Sequence, residues 1–106
     1  MSIVTPTFNE RRNISILIPR VVEVLHKNRI TGEIIVVDDN SEDGTADEVR
    51  RLARKFGGIC EIRLIERGCK MGIGSAYKTG FAHAKGDFFL RWMATSLTTP
   101  LLFRHF

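Results

Sequence analysis

Cysteine is scarce in this chain of 106 residues. Cys60 and Cys69 are too few for a disulfide framework and lack the paired spacing of a zinc site, which fits a reducing compartment and assigns neither thiol any chemistry. No stretch approaches the roughly 18 consecutive apolar residues of a spanning helix. The amino terminus enters a strand-like segment without the basic lead and apolar core of a secretory signal. The expectation is a cytoplasmic chain that neither carries a signal peptide nor spans a membrane. Internal repeats and low-complexity segments are absent as well. What is present, 43% hydrophobic and 26% charged residues, is the composition of a chain that packs a core.

Charge of one sign is missing from particular stretches, and the formal net charge of +4 hides this. Residues 33–48 hold seven acids and no base, whereas residues 50–91 hold ten bases and three acids. A basic second half could meet nucleic acid, an anionic membrane surface or a phosphorylated substrate. Arg50, Arg51, Arg54 and Lys55, however, read first as the solvated face of a helix. The length bounds the chain to one domain at most and is short for a sheet covered on both faces, so it fits part of a domain.

The chain is organised around Glu33-Ile34-Ile35-Val36-Val37-Asp38-Asp39-Asn40-Ser41-Glu42-Asp43-Gly44-Thr45. Four β-branched residues suit a strand buried on both faces, as in a parallel sheet. Asn40 and Gly44 suit positive φ in the turn that follows, and Thr45 is a candidate cap for the helix marked by Val49, Leu52, Ala53 and Phe56. Ahead of this unit, residues 2–5 predict a strand stopped by Pro6, which lacks an amide hydrogen for the ladder. Asn13 is a candidate N-cap for a helix with the stripe Ile14, Leu17, Ile18, Val21, Val22 and Leu25, inside which Pro19 predicts a kink or a later start. After it, residues 60–65 alternate as an edge strand, residues 75–85 predict a helix with small residues Ala76, Gly80 and Ala84 on one stripe, and Phe88 opens a fourth strand. From Arg91 onward neither period is visible, and residues 101–106 would expose apolar side chains at a terminus.

Three segments fall at the ends of strands, where ligands of open parallel sheets bind: Pro6-Thr7-Phe8-Asn9-Glu10, residues 37–45, and Lys70-Met71-Gly72-Ile73-Gly74-Ser75-Ala76. In that order and spacing they resemble the nucleotide-sugar-binding half of family 2 glycosyltransferases, most closely the dolichol-phosphate (polyprenol-phosphate) mannosyltransferases. The likeness covers about residues 2 to 90. It implies an α/β, Rossmann-like GT-A half domain, a parallel sheet of four strands in order 3-2-1-4 with helices on both faces. It implies that Pro6, Phe8, Glu10, Val37 and Asp39 line the nucleotide pocket, Val37 and Asp39 contacting base and ribose. Phe8 stands where the family usually has tyrosine, which keeps stacking and loses a hydroxyl. The ordinary roles of these residues compete: Asp38 and Asp39 as turn-capping acids, Glu10 as an acid in a helix first turn, and Gly72 and Gly74 as a tight turn.

The same resemblance implies transfer of mannose from GDP-mannose to a dolichyl or other polyprenyl phosphate, at the cytoplasmic face of a membrane, with no nucleic-acid partner. It implies Mg²⁺ or Mn²⁺ on the diphosphate, held by an acidic Asp-x-Asp motif after the fourth strand. The aligned positions here are Met93, Ala94 and Thr95, so the metal ligands and any catalytic residue are expected to be absent. Turnover by this chain is therefore not expected. The domain reading is residues 1–92 as an incomplete nucleotide-sugar-binding region and 93–106 as a tail foreign to it, explicable by a shift of reading frame. Two other classes remain in competition. A receiver-type signalling domain would need a phosphorylatable Asp at the end of a later strand, but Asp87 precedes its strand. A basic nucleic-acid-binding module would need a recognition motif beside its charge.

Overall fold

The computed structural model describes residues 1–68, 73–85, 88–91 and 101–104. Strand β1 (Ser2–Thr7) leads into helix α1 (Arg11–Lys27), followed by β2 (Glu33–Asp38), α2 (Thr45–Phe56), β3 (Glu61–Glu66), α3 (Ile73–Ala82), β4 (Phe88–Arg91) and β5 (Leu101–Arg104). These strands form one sheet in the order β3-β2-β1-β4-β5. The long ladders are parallel, with Thr7 opposite Asp38 and Asp38 opposite Glu66, so the three strands end at one level. Strand β4 runs parallel to β1 from Ser2↔Phe89 to Val4↔Arg91, and β5 runs antiparallel to β4. The fold is α/β and Rossmann-like, but among the described residues its sheet has five strands and is mixed, where four parallel strands were expected. Pairing an apolar segment onto an open edge uses main-chain groups alone, so no side-chain period announces β5.

Side chains of β1 and β2 alternate between two cores. Ile3, Ile34 and Val36 join the α1 stripe and Val49 and Leu52 of α2 on one face. Val4, Ile35 and Val37 join Ala76 and Tyr77 of α3 on the other. All six residues of the expected α1 stripe are buried. The bases of α2 form surface ion pairs, Arg50 with Asp47 and Glu66, and Arg51 with Glu48; both arginines are about half exposed, as a solvated face requires. Burial first, then Glu33 and Glu61, pushes the Cys60 thiol up, which suits an inert core cysteine.

Several boundaries differ from the sequence expectation for physical reasons. Strand β1 continues through Pro6 to Thr7. The Asp39 N–H donates to the Thr7 carbonyl, so Thr7 faces β2 and Pro6 is turned away from it, and the ladder to β2 demands no donor of Pro6. Helix α1 starts at Arg11 with Glu10 in the N-cap position, not at Asn13, and contains Pro19. Helix α2 has Gly44 in its N-cap position at φ +88°, so Thr45 is its first residue instead of its cap. Helix α3 begins at Ile73, two residues before the expected Ser75, and ends at Ala82, three before the expected Lys85, so Ala84 lies beyond it; β3 is offset by one residue at each end.

The far pole of the sheet closes on a charge. Buried Glu33 accepts from Ser2 Oγ at 2.8 Å, Arg63 at 3.0 Å and the Lys85 N–H at 2.6 Å, binding β1, β2, β3 and the chain after α3 together. Burial by itself would raise its pKa, and the donors from Lys85, Ser2 and Arg63 bring it below the usual carboxylate range.

Helix α3 lies against β1 because Gly80 has no side chain: a methyl there would overlap Val4 Cγ1, and Val4 is fully buried. Gly80→Ala is expected to destabilise the fold by about 1–3 kcal/mol through overpacking. Gly74→Ala, in the first turn of the same helix, where an added methyl meets none of the described residues within 4 Å, should be neutral or mildly stabilising. Thermal unfolding of the two variants checks this; equal midpoints would show that α3 does not pack this closely.

Candidate functional site

Acids meet at the ends of β1 and β2 because both strands finish at one level and both helices that follow begin there. Asp38 is 2% exposed, and its oxygens are taken by Thr7 Oγ1 at 2.7 Å, Ser41 Oγ at 2.6 Å and the Ser41 N–H at 3.0 Å. It is a turn-holding acid, the ordinary role weighed for it from sequence. Asp39 faces differently. Arg67 grips it with two parallel bonds, Nε to Oδ1 at 2.6 Å and Nη2 to Oδ2 at 2.8 Å, and Arg67 Nη1 donates to Ser75 Oγ at 2.8 Å. Both side chains of this ion pair are less than one-tenth exposed. A carboxylate has about four lone-pair positions, so Asp39 keeps acceptor capacity beyond the fork.

The first loop is tied to the acidic loop by main-chain amides. Asn9 at φ +53°, Asn40 at φ +61° and Gly44 at φ +88° turn the backbone so that the two loops face each other. The Asn9 N–H donates to Ser41 Oγ at 2.8 Å, and the Glu42 N–H returns a bond to Asn9 Oδ1 at 2.9 Å. The Glu10 N–H donates to Thr45 Oγ1 at 3.1 Å, and the Arg11 N–H to Asp43 Oδ2 at 3.1 Å. Asp43 Oδ1 also accepts from the Thr45 N–H at 3.0 Å and from the Thr45 hydroxyl. Burial would raise the Asp43 pKa; the Thr45 hydroxyl and the Arg11 and Thr45 amides outweigh it and hold the group below its ordinary value.

Of the residues expected to line a pocket, Phe8 is 41% exposed and Glu10, at the start of α1, accepts from Asn13 Nδ2 at 2.8 Å. Pro6 lies in β1 one residue before its end, and Asp39 follows β2. These four collect at the carboxyl ends of the strands. Val37 shares that end, but its side chain is fully buried against α3, so it can offer a ligand only main-chain atoms. Lys70, Met71 and Gly72 of the third motif, and Met93, Ala94 and Thr95, lie outside the described residues. Sequence reasoning missed Arg67, Ser41 and Asp43. Arg67 had a signal: a base directly after β3, whose last residue, Glu66, is opposite Asp38 in a parallel register.

The residues at these strand ends do not fit a hard divalent cation. Asp38 is taken by Thr7 and Ser41, Asp39 already has its counter-charge in Arg67, and among the described residues no three His, Cys, Asp or Glu side chains converge as ligands. Among them, too, no helix is long and apolar enough to cross a membrane.

A Rossmann-like sheet with an acidic pair and loop-borne polar groups at its carboxyl ends is the frame of GT-A proteins. The sequence pattern of glycosyl transferase family 2 matches residues 2–94, and the chain belongs to that family. It is 36% identical over 90 residues to a dolichol-phosphate mannosyltransferase of Pyrococcus furiosus, covering 85% of this chain and 24% of that protein. It is 32% identical over 95 residues to a dolichyl-phosphate beta-glucosyltransferase of Trichomonas vaginalis, covering 85% of this chain and 28% of the relative. In three dimensions it resembles a mannosyltransferase of Pyrobaculum calidifontis solved with GDP-Man and Mn²⁺, at 28% identity and a TM-score of 0.79, over 91% of this chain and 27% of that one. The chain thus spans about a quarter of the length of these relatives. Family membership displaces the receiver and nucleic-acid readings.

The Asp39–Arg67 fork should be strongly coupled. Arg67→Ala leaves a buried carboxylate without its counter-charge and should cost about 3–5 kcal/mol. The double variant Asp39→Ala/Arg67→Ala is expected to recover part of that loss in urea unfolding. A double variant no more stable than Arg67→Ala would show that the two side chains do not depend on each other.

Proposed function

We propose that this chain is the nucleotide-sugar-binding part of a polyprenyl-phosphate mannosyltransferase, with GDP-mannose as donor. The observation that supports it most is the likeness to the mannosyltransferase solved with GDP-Man, together with the meeting of Pro6, Phe8, Glu10 and Asp39 at the carboxyl ends of the strands. In this reading the base stacks on Phe8, Asp39 accepts from base or ribose donors, and the main chain of Val37 lines the floor. The parallel β3-β2-β1-β4 part of the sheet is the donor-binding frame. The reaction of the whole enzyme would be displacement at the anomeric carbon. A phosphate oxygen of the lipid forms the new bond, the bond to the diphosphate breaks, and GDP leaves with the electron pair. The lipid acceptor would bring the whole enzyme to the cytoplasmic face of a membrane.

Calorimetric titration with GDP, UDP and GDP-mannose tests this, with GDP and GDP-mannose expected to bind more tightly than UDP. Asp39→Ala should weaken binding by roughly 1.5–3 kcal/mol, one to two decades in Kd. Unchanged affinity in that variant would overturn the placement of the nucleotide.

The residues after Trp92 carry a second proposal, that 93–106 are read in a shifted frame. Trp92 and Met93 have unique codons, TGG and ATG, so reading from the third base of the first yields GAT, an aspartate, and then a glycine from ATG and GCN. Third bases permitting, the shifted codons for residues 92–100 give Asp-Gly-Asp-Leu-Ser-His-His-Pro, preceded by Met when the Arg91 codon ends in A. That string resembles the family's acidic metal motif, in place after β4, and would return the hard oxygen ligands that Met93, Ala94 and Thr95 lack. The nucleotide sequence decides the matter: codons that do not encode the acidic pair in that frame, or a stop soon after, would end the idea.

A further inference from the structure

We infer that Asp43 is a positioning residue of the site: its carboxylate sets the first loop, with Phe8 and Glu10, against Asp39. This rests on the nucleotide-binding reading above and adds a residue to it. The inference comes from connectivity. One oxygen of Asp43 accepts the Arg11 N–H at the start of α1, and the other accepts the Thr45 N–H and hydroxyl at the start of α2. Thr45 Oγ1, held by that contact, accepts the Glu10 N–H. Two successive amides of the first loop therefore depend on one side chain 32 residues further along the chain.

The other side of the first loop is held separately. Thr7 and Ser41 share Asp38 Oδ1, and Ser41 Oγ receives the Asn9 N–H. The loop is fixed at both flanks, with Phe8 between Thr7 and Asn9. Gly44 allows Asp43 to reach back, because its φ of +88° turns the chain between Asp43 and Thr45. A side-chain acid that served α2 alone would need only the Thr45 amide. Asp43 also serves α1, which no local capping rule asks of it.

The test compares the unmodified chain with Asp43→Ala and Asp43→Asn by amide hydrogen exchange and by calorimetric titration with GDP. Asn is nearly isosteric but has one acceptor oxygen for the Arg11 and Thr45 amides, so it should retain one helix start and release the other. In Asp43→Ala the Glu10 and Arg11 amides should exchange roughly tenfold faster, while Val36 and Leu64 in the sheet keep their protection. GDP affinity of the folded variant should fall roughly tenfold, with Asp43→Asn between the two. Unchanged exchange at Glu10 and Arg11 overturns the inference. Faster exchange there with undiminished GDP affinity also overturns it, leaving Asp43 a helix cap only. Should Asp43→Ala fail to fold, Asp43→Asn is judged by the same two criteria. If the unmodified chain binds none of GDP, UDP or GDP-mannose, the nucleotide reading itself fails and takes the positioning role with it, which separates that failure from the other two.

Discussion

Helix amides without partners are the constraint on which this structure turns. Helices α1 and α2 both begin above the carboxyl ends of β1 and β2, and the first amides of a helix have no acceptors within it. Each helix could have carried its own Ser, Thr, Asn or Asp cap. Instead the Glu10 and Arg11 amides of α1 are satisfied by Thr45 and Asp43, which belong to the start of α2. A helix borrowed into the sheet by its apolar stripe is thereby fixed in its approach by polar atoms from the next unit. The consequence is a pair of loops with a defined separation, which is what a site made of loop residues needs.

The buried charges divide into two poles. At the amino ends of the strands Glu33 gathers donors from Ser2, Arg63 and Lys85, and at the carboxyl ends Asp39 meets Arg67. Both are charges removed from water and compensated by hydrogen-bonded partners, the condition under which burial is tolerated. Their settings differ in what they leave over. Glu33 is the first residue of β2 and lies within the sheet, whereas Asp39 lies past the last residue of β2, next to the positive-φ turn at Asn40. The same chemistry ties strands together at one end and, at the other, ties the start of the acidic loop to the residue that follows β3.

About a quarter of the relatives' length is enough for this frame to form two cores. Each core depends on a different helix set, α1 and α2 on one face and α3 on the other. Close approach through Gly80 brings α3 into contact with Val4 of β1, and dispersion contacts of this kind fall away steeply with separation.

The sequence by itself determined the elements whose side chains repeat with a period. The β-branched run of β2, the stripe of α1 and the positive-φ turn at Asn40 and Gly44 are all local patterns, and each is where its pattern put it; of the small-residue stripe, Ala76 and Gly80 lie on α3 and Ala84 falls beyond its end. The collection of Pro6, Phe8, Glu10 and Asp39 at one end followed from strand polarity in a parallel sheet. What the tertiary structure decided were partnerships between distant residues. Pro6 stays in β1 with its missing donor turned away from β2, and α1 starts at Arg11 without a side-chain cap of its own because Asp43 and Thr45 accept its first amides. The division of labour between Asp38 and Asp39 came from Thr7, Ser41 and Arg67, and β5 from an edge left open. Periodicity records which face of a segment is apolar; which polar atom meets which is fixed only when the chain has closed on itself.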